Sequence, residues 1–151
     1  MYNLLVRASL TYAFGIVLFG AYIPSPAQVL AFVPALILAV LVSFSLNFIV
    51  NMSAFWLIDA TGVMGLANVL LLFFSGFLLP LAFFPPFLQA VAAALPFQAI
   101  TSLPAQVFLG KLDGLALLPA LLLQGFWAIV LLAISLVILR SAMHKLVIQG
   151  G

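Results

Sequence analysis

The sequence contains no cysteine and very little charge. Cysteine is absent from all 151 residues, which excludes disulfide bonds, a thiolate nucleophile and a cysteine-based metal site. Only 4% of the residues are charged, against about a quarter in a typical soluble domain. A soluble protein could not cover its surface with so few charged side chains. Together with 68% hydrophobic residues and a mean hydropathy of +1.48, this composition predicts an integral membrane protein.

Sequence patterns of catalysis and nucleotide binding are also missing. No two carboxylates lie close together, no serine stands in a G-x-S-x-G motif, and no glycine-rich phosphate loop is present. His144 is the single histidine and lies among terminal cationic residues, where a solvent or head-group contact is more usual than metal binding. The net charge of +2 includes no basic run long enough to follow a nucleic acid backbone. We therefore expect no enzyme activity, no metal or cofactor bound by this chain, and no nucleic acid partner.

Apolar runs separated by short polar turns predict a single transmembrane domain over residues 1–151. The predicted spans cover about residues 5–23, 27–57, 62–80 and 115–139. Charged residues lie at or near the ends of these runs, as expected from the cost of placing a charge inside a bilayer. They are Arg7, Asp59, Lys111, Asp113, Arg140 and Lys145. The predicted fold class is an all-α integral membrane protein with about four transmembrane helices.

Two features near the span ends admit a second interpretation. The basic start, the first apolar run and the sequence Ser25-Pro26-Ala27 loosely resemble a cleaved signal peptide. A membrane span is preferred, because the run is long for a signal peptide and the remaining spans do not need one. Asp59 follows Phe55-Trp56 and is either an interfacial anchor or a proton-relay group. The anchor is preferred, because no second acid or histidine lies nearby in sequence.

A proline-broken but apolar stretch, residues 81–110, separates the last two predicted spans. A loop facing water would be polar, whereas this one remains rich in phenylalanine and leucine. Helices over residues 87–95 and 100–110 are too short to cross a bilayer, so we predict a re-entrant pair that dips into the membrane from one side. The residues expected to shape this re-entrant or gate segment are Pro80, Pro85, Pro86, Pro96, Phe97, Pro104 and Gly110.

Polar side chains inside the apolar spans are candidates for a translocation pathway. Ser43, Asn47 and Asn51 recur every fourth residue and so form one stripe of the second predicted span. Such a stripe either bonds to neighbouring helices or lines a route, and interhelical bonding is preferred because an unpaired amide in lipid is costly. The Ser75 hydroxyl is expected to bond back to its own helix. The full candidate set for a pathway or interhelical polar face is Ser43, Asn47, Asn51, Asn68, Ser75 and Gln124.

The distribution of cationic residues predicts the orientation in the membrane. With four crossings, the two termini share a side, and Arg7, Arg140 and Lys145 lie on that side. Only Lys111 lies on the other side. Because cytoplasmic loops carry an excess of lysine and arginine, both termini are expected in the cytoplasm. The expected location is the plasma (inner) membrane. The re-entrant segment then faces the outside.

The stretch from Phe74 to Pro85 resembles a signature of ABC-2-type exporter permeases, FSG-x-x-x-P-x-x-x-x-P. Other pieces in the same order are similar to that family, and together the resemblance covers nearly the whole chain from the second predicted span. These pieces are Phe55–Asp59, Leu95-Pro96-Phe97, Leu103–Gly110 and Gln149-Gly150-Gly151.

The resemblance implies a permease that works with partners. Family members have six transmembrane helices, a cytosolic N-terminus and short re-entrant helices before the last span. Two permease subunits dock on two separate ATPase subunits, which bind and hydrolyse ATP. The four spans of this chain would be the last four of six, with residues 81–110 as the re-entrant pair. The first two helices and their coupling helix would then be missing, and with them the main element that docks the ATPase.

Two functions are therefore compared. The preferred one is the transmembrane permease subunit of an ABC-2-type ATP-driven exporter, in an N-terminally truncated form. Its expected partners are membrane lipid, a second permease subunit and cytoplasmic ABC ATPase subunits. The alternative is a small multi-span membrane scaffold or assembly subunit with no transport activity of its own.

Overall fold

The structure, a computed structural model, describes residues 22–57 and 61–149, and over these residues it contains helices and turns but no strand. The predicted first span, residues 5–23, lies almost wholly outside the described residues, as does Asp59. The α-helices are α1 (Pro26–Met52), α2 (Thr61–Phe74), α3 (Pro86–Ala94), α4 (Ser102–Phe108) and α5 (Leu117–Gln149). Short 3-10 helices cover Ser53–Phe55, Leu81–Phe83, Pro96–Ala99 and Gly114–Ala116.

Two continuous helical stretches are long and apolar enough to cross a membrane. They are Pro26–Phe55 and Gly114–Met143, each of 30 residues. At 1.5 Å per residue each is about 45 Å long, which exceeds the roughly 30 Å of a bilayer's hydrocarbon core. Each must therefore tilt or project into the interface. With the shorter apolar helices, they confirm the predicted all-α membrane fold.

The start of α1 is capped by its own sequence. The Gln28 backbone N–H donates to Ser25 Oγ at 3.3 Å, and the Ser25 N–H donates to Gln28 Oε1 at 2.7 Å. This reciprocal pair is a capping box, which satisfies two donors that a helix start leaves free. Pro26 occupies the first turn, where its missing N–H costs nothing. The Tyr22 hydroxyl also donates to Gln28 Oε1, at 2.9 Å.

Helices α1 and α5 pack in parallel and form most of the core. Gln124 on α5 bonds to the Ala35 carbonyl, and Ser135, eleven residues later, bonds to the Ser45 carbonyl, ten residues after Ala35. The second bond lies nearly the same number of residues further along both helices, so the two helices run in the same direction. Small residues line this contact, so the two backbones can approach closely. The buried core contains Val42, Ala99, Leu103, Ala120, Ala128 and Leu131.

Helix α2 ends at Phe74, whereas the predicted span continues to residue 80. Gly76 follows in the left-handed region with φ of 79°, a conformation that glycine adopts without strain and that commonly ends a helix. Pro80 then precedes the turn Leu81–Phe83. The chain therefore leaves the direction of α2 before residue 81, where the predicted re-entrant stretch begins.

The proline-rich stretch forms two short helices joined at a sharp bend. The stretches Pro86–Ala94 and Pro96–Phe108 meet at 71°. Pro86 and Pro96 each stand in the first turn of a helix, where their fixed φ and missing N–H are tolerated. The bend reaches the level of Ala35, nine residues into α1, which places it about 14 Å along α1 from its first residue.

Candidate functional site

Two cavities lie on opposite sides of the turn Pro96–Ala99. The smaller, named here the amide cavity, has a volume of about 140 Å³ and lies between α1 and α2. The larger, named here the outer cleft, has a volume of about 630 Å³ and lies between the end of α2 and the short helices. Phe97 lines the amide cavity, while its neighbour Gln98 lines the outer cleft. One turn of backbone therefore separates the two spaces.

The amide cavity collects three of the candidate pathway residues. Asn47 and Asn51 reach it from α1, and Asn68 reaches it from α2. All three side chains belong to exposed residues. The rest of the wall is apolar and consists of Leu46, Val50, Met64, Ala67, Leu71 and Phe97. The result is a small apolar pocket with a few hydrogen-bonding groups, which is typical of a ligand site.

The asparagines of α1 hydrogen-bond within their own helix. Asn47 Nδ2 donates to the Ser43 carbonyl at 2.8 Å and lies 3.5 Å from Ser43 Oγ. Asn51 Nδ2 donates to the Asn47 carbonyl at 2.7 Å. The preferred interpretation of this stripe, bonding between helices, is therefore wrong for these amide nitrogens. The cavity separates α1 from α2 at this level, so the nearest carbonyl is one turn back along the same helix.

A phenylalanine cluster closes the amide cavity on the side of the short helices. The rings of Phe74 and Phe97 are stacked with centroids 6.2 Å apart. Phe84, which is buried, stacks on Phe73 at 4.8 Å and meets Phe74 edge-on at 6.3 Å. Aromatic pairs at such distances attract each other beyond simple area burial. The cluster joins the end of α2 to the bent pair of short helices, and Phe97 packs beside the cavity.

Glutamine side chains fix the backbone around the outer cleft. Gln89 Nε2 donates to the Phe84 carbonyl at 2.8 Å, and Gln98 Nε2 donates to the Ala93 carbonyl at 3.0 Å. Gln106 Nε2 donates to Ser102 Oγ at 2.9 Å. All three residues line the cleft, together with Lys111. The cleft therefore combines polar and apolar groups, and three of its glutamines form the hydrogen bonds given above.

Gln124 joins three elements in the core. Its side chain is fully buried, and Nε2 donates to the Ala99 carbonyl at 2.8 Å and to the Ala35 carbonyl at 3.2 Å. Its Oε1 has no hydrogen-bond partner. Gln124 therefore links α5, α1 and the turn Pro96–Ala99 and belongs to an interhelical polar contact. Ala128 and Ser135, which follow Gln124 on the same face of α5, are also buried.

Ser75 differs from its expectation. The residue is fully buried, and its Oγ has no hydrogen-bond partner, so the expected bond back to its own helix is not made. The helix ends at Phe74, and the backbone turns at Gly76 instead of continuing. Neither Ser75 nor Ser43 is among the residues that line the amide cavity.

The predicted gate residues occupy turns and helix starts. Pro80 and Pro85 precede the turn at Leu81–Phe83 and the helix α3, while Pro96 and Pro104 are buried. Gly110 has φ of 66°, and a Cβ added there would overlap the Gln28 amide nitrogen and lie 3.1 Å from the Tyr22 hydroxyl. Gly110 therefore allows the segment after α4 to approach the cap of α1 closely.

Several contributors to this site were not predicted from the sequence. Phe74 and Phe84 were noted only as part of an apolar motif, and Gln28 and Gln98 were not singled out. The available signal was the position of a polar amide inside an apolar stretch, as at Gln98. The described residues contain no group of three histidine or acidic side chains placed to hold a metal ion.

Comparison with known proteins agrees with this architecture. The model of one protein family, described as ABC-2 family transporter protein, matches residues 2–150. The match covers nearly all of the 151 residues. No curated protein and no solved structure matches the chain. The chain therefore belongs to the ABC-2 family of transporter proteins, whose members are membrane permeases.

Proposed function

We propose that this permease is the membrane subunit of an ATP-driven exporter. In this proposal, two permease subunits associate with separate cytoplasmic ATPase subunits, which supply the energy, and this chain supplies the route. The observation that carries the proposal is the pair of cavities separated by the single turn Pro96–Ala99. A transporter needs a binding space that is closed on one side while the other side is open. Movement of this turn, held by the phenylalanine cluster and by Gln124, would join the two cavities.

The proposal predicts a copurifying ATPase and a secreted compound. The tagged chain, purified in mild detergent from its native membrane, should bring with it a subunit that hydrolyses ATP. Cells without the chain should retain inside at least one compound that otherwise accumulates in the medium, as measured by mass spectrometry of both fractions. Purification without ATPase activity, together with unchanged medium and cell contents, would contradict export and favour the scaffold function.

The proposed orientation places the outer cleft and Lys111 outside the cell, with α1 and α5 running inward. The start of α1 and the end of the proposed re-entrant pair should lie on the same side of the membrane, because Gln28 adjoins Gly110. Arg140 lies near the other end of α5. An inward direction for both helices agrees with the excess of positive charge expected on the cytoplasmic side.

The absence of cysteine makes this orientation directly testable. Asp113→Cys, before α5, should react with a membrane-impermeant maleimide added to intact cells. Ala54→Cys, just after α1, should react only in inverted vesicles. Both positions are exposed, so burial does not limit labelling. The parent chain, which has no thiol, is the control for background labelling. The reverse pattern would place the termini outside.

A further inference from the structure

The amide cavity offers more hydrogen-bond acceptors than donors. Because the Ser43 and Asn47 backbone carbonyls can only accept, the atoms that face them at 2.8 and 2.7 Å must be the amide nitrogens of Asn47 and Asn51. The nitrogen of Asn47 is also 3.5 Å from Ser43 Oγ. Each of these bonds uses one of the two N–H groups of its amide, whereas the Oδ1 atoms of Asn47 and Asn51 keep their lone pairs for a molecule in the cavity.

The described wall of the amide cavity contains no charged side chain that could neutralise a charged ligand. The lining consists of three asparagines and six apolar residues, with no arginine, lysine, aspartate or glutamate among them. An anion would face acceptor oxygens without a cation, which is unfavourable in a weakly polar environment. A cation would lack a carboxylate, and a buried charge without a partner is costly. An uncharged group that donates hydrogen bonds fits this wall best.

The cavity is the right size for a head group and not for a whole amphiphile. Its volume of about 140 Å³ is close to the roughly 150 Å³ of an engineered apolar cavity that binds benzene. The apolar part of the wall, with Leu71 and Phe97, suits carbon atoms next to the donor group. A longer alkyl chain would have to leave the cavity along the apolar surface between α1 and α2.

We infer that the amide cavity binds the uncharged, hydrogen-bond-donating head group of an amphiphilic molecule, through the Oδ1 atoms of Asn47 and Asn51 and the amide of Asn68. Hydroxyl groups and neutral N–H groups share this chemistry. The inference deepens the proposed transport function and rests on it for its role in the cell. Binding itself can be measured without ATP, ATPase subunits or transport, so the two proposals can fail separately.

The test measures occupancy by thiol protection. Ala67→Cys places one thiol in the cavity wall of a chain that otherwise has none. The protein is held in phosphatidylcholine nanodiscs, because the quaternary ammonium head group of that lipid donates no hydrogen bond. The labelling rate by a small maleimide is measured against the concentration of decanoyl glycerol. Parallel titrations use three other probes: its di-O-methyl ether, which has the same carbon chain and no donor; decanamide, which has a neutral N–H donor; and decyltrimethylammonium.

The concentration that halves the labelling rate should be about fivefold lower for decanoyl glycerol than for its dimethyl ether, because one net hydrogen bond changes affinity by about this factor. Decanamide, which donates through neutral N–H groups, should resemble decanoyl glycerol. Asn47→Leu and Asn68→Leu should each weaken protection by about fivefold on the same grounds. Gln106→Leu, which removes an amide from the outer cleft and lies outside the turn Pro96–Ala99, is the matched control and should leave protection unchanged.

Three results would overturn the inference. Equal protection by decanoyl glycerol and its dimethyl ether would mean that only apolar contacts act in the cavity. Stronger protection by decyltrimethylammonium would mean a cation site. No protection by any of the probes would mean that this cavity does not bind such amphiphiles, while copurification of an ATPase and loss of export would still test the transport function independently.

Discussion

Replacing Gly110 by alanine should lower the free energy of unfolding by about 2–4 kcal/mol, from left-handed backbone strain and a disturbed helix cap. Gly110 has φ of 66°, which costs a residue with a Cβ about 1–2 kcal/mol. The new methyl group would also overlap the amide nitrogen of Gln28. Because Gln28 Oε1 accepts from the Ser25 N–H and the Tyr22 hydroxyl, moving this side chain breaks both bonds.

The variant Gly114→Ala measures the cost of left-handed backbone strain without any steric overlap. Gly114 has φ of 51°, but a Cβ there meets nothing within 4 Å. Its replacement should therefore cost only the strain. Reversible unfolding of the purified chain in mixed micelles, titrated with a denaturing detergent, gives both values. Gly110→Ala should also cost less in a Gln28→Ala background, since the overlapping side chain is gone. Equal losses for the two glycines, or full additivity with Gln28→Ala, would refute the contact.

Replacing Gln124 by leucine should lower the free energy of unfolding by about 1–2 kcal/mol, because it removes two hydrogen bonds but also removes the buried Oε1 that has no partner. Leucine keeps most of the side-chain volume, so the effect reports on the bonds to the Ala35 and Ala99 carbonyls and little on packing. The substitution should also loosen the structure locally, because the bond from Gln124 to the Ala99 carbonyl holds the turn that separates the two cavities. A thiol at Gln98→Cys in the outer cleft should therefore react faster in the Gln124→Leu protein.

Ser135→Ala is the matched control for Gln124→Leu. Ser135 lies on the same helix, is also buried, and donates one bond of 3.4 Å to the Ser45 carbonyl. A bond this long contributes little, so we expect a loss of about 0.5 kcal/mol or less. It is also remote from Ala99 and should leave the reactivity of Gln98→Cys unchanged. A larger effect from Ser135→Ala than from Gln124→Leu would show that Gln124 does not brace the turn.

Much of the site was predictable because individual residues carry a strong local preference. Proline favours the first turn of a helix, and Pro26, Pro86 and Pro96 all stand there. Ser25 caps the start of α1. The four-residue spacing of Asn47 and Asn51 put both on one face, and the structure brings them to one cavity. Their bonding partners were not predictable, because a neighbouring helix and the previous turn are both available to an amide until the packing is known.

What the sequence by itself determined is the class of protein and its local elements. A chain with 4% charged residues cannot be soluble, and its apolar runs and prolines specify long helices and a broken segment. Only the tertiary structure decided which polar groups face one another. It buried Gln124 against two carbonyls and left Asn47 and Asn51 with free acceptor oxygens. The physical reason is that periodicity specifies a residue's face, whereas the parallel packing of α1 and α5 specifies what that face meets.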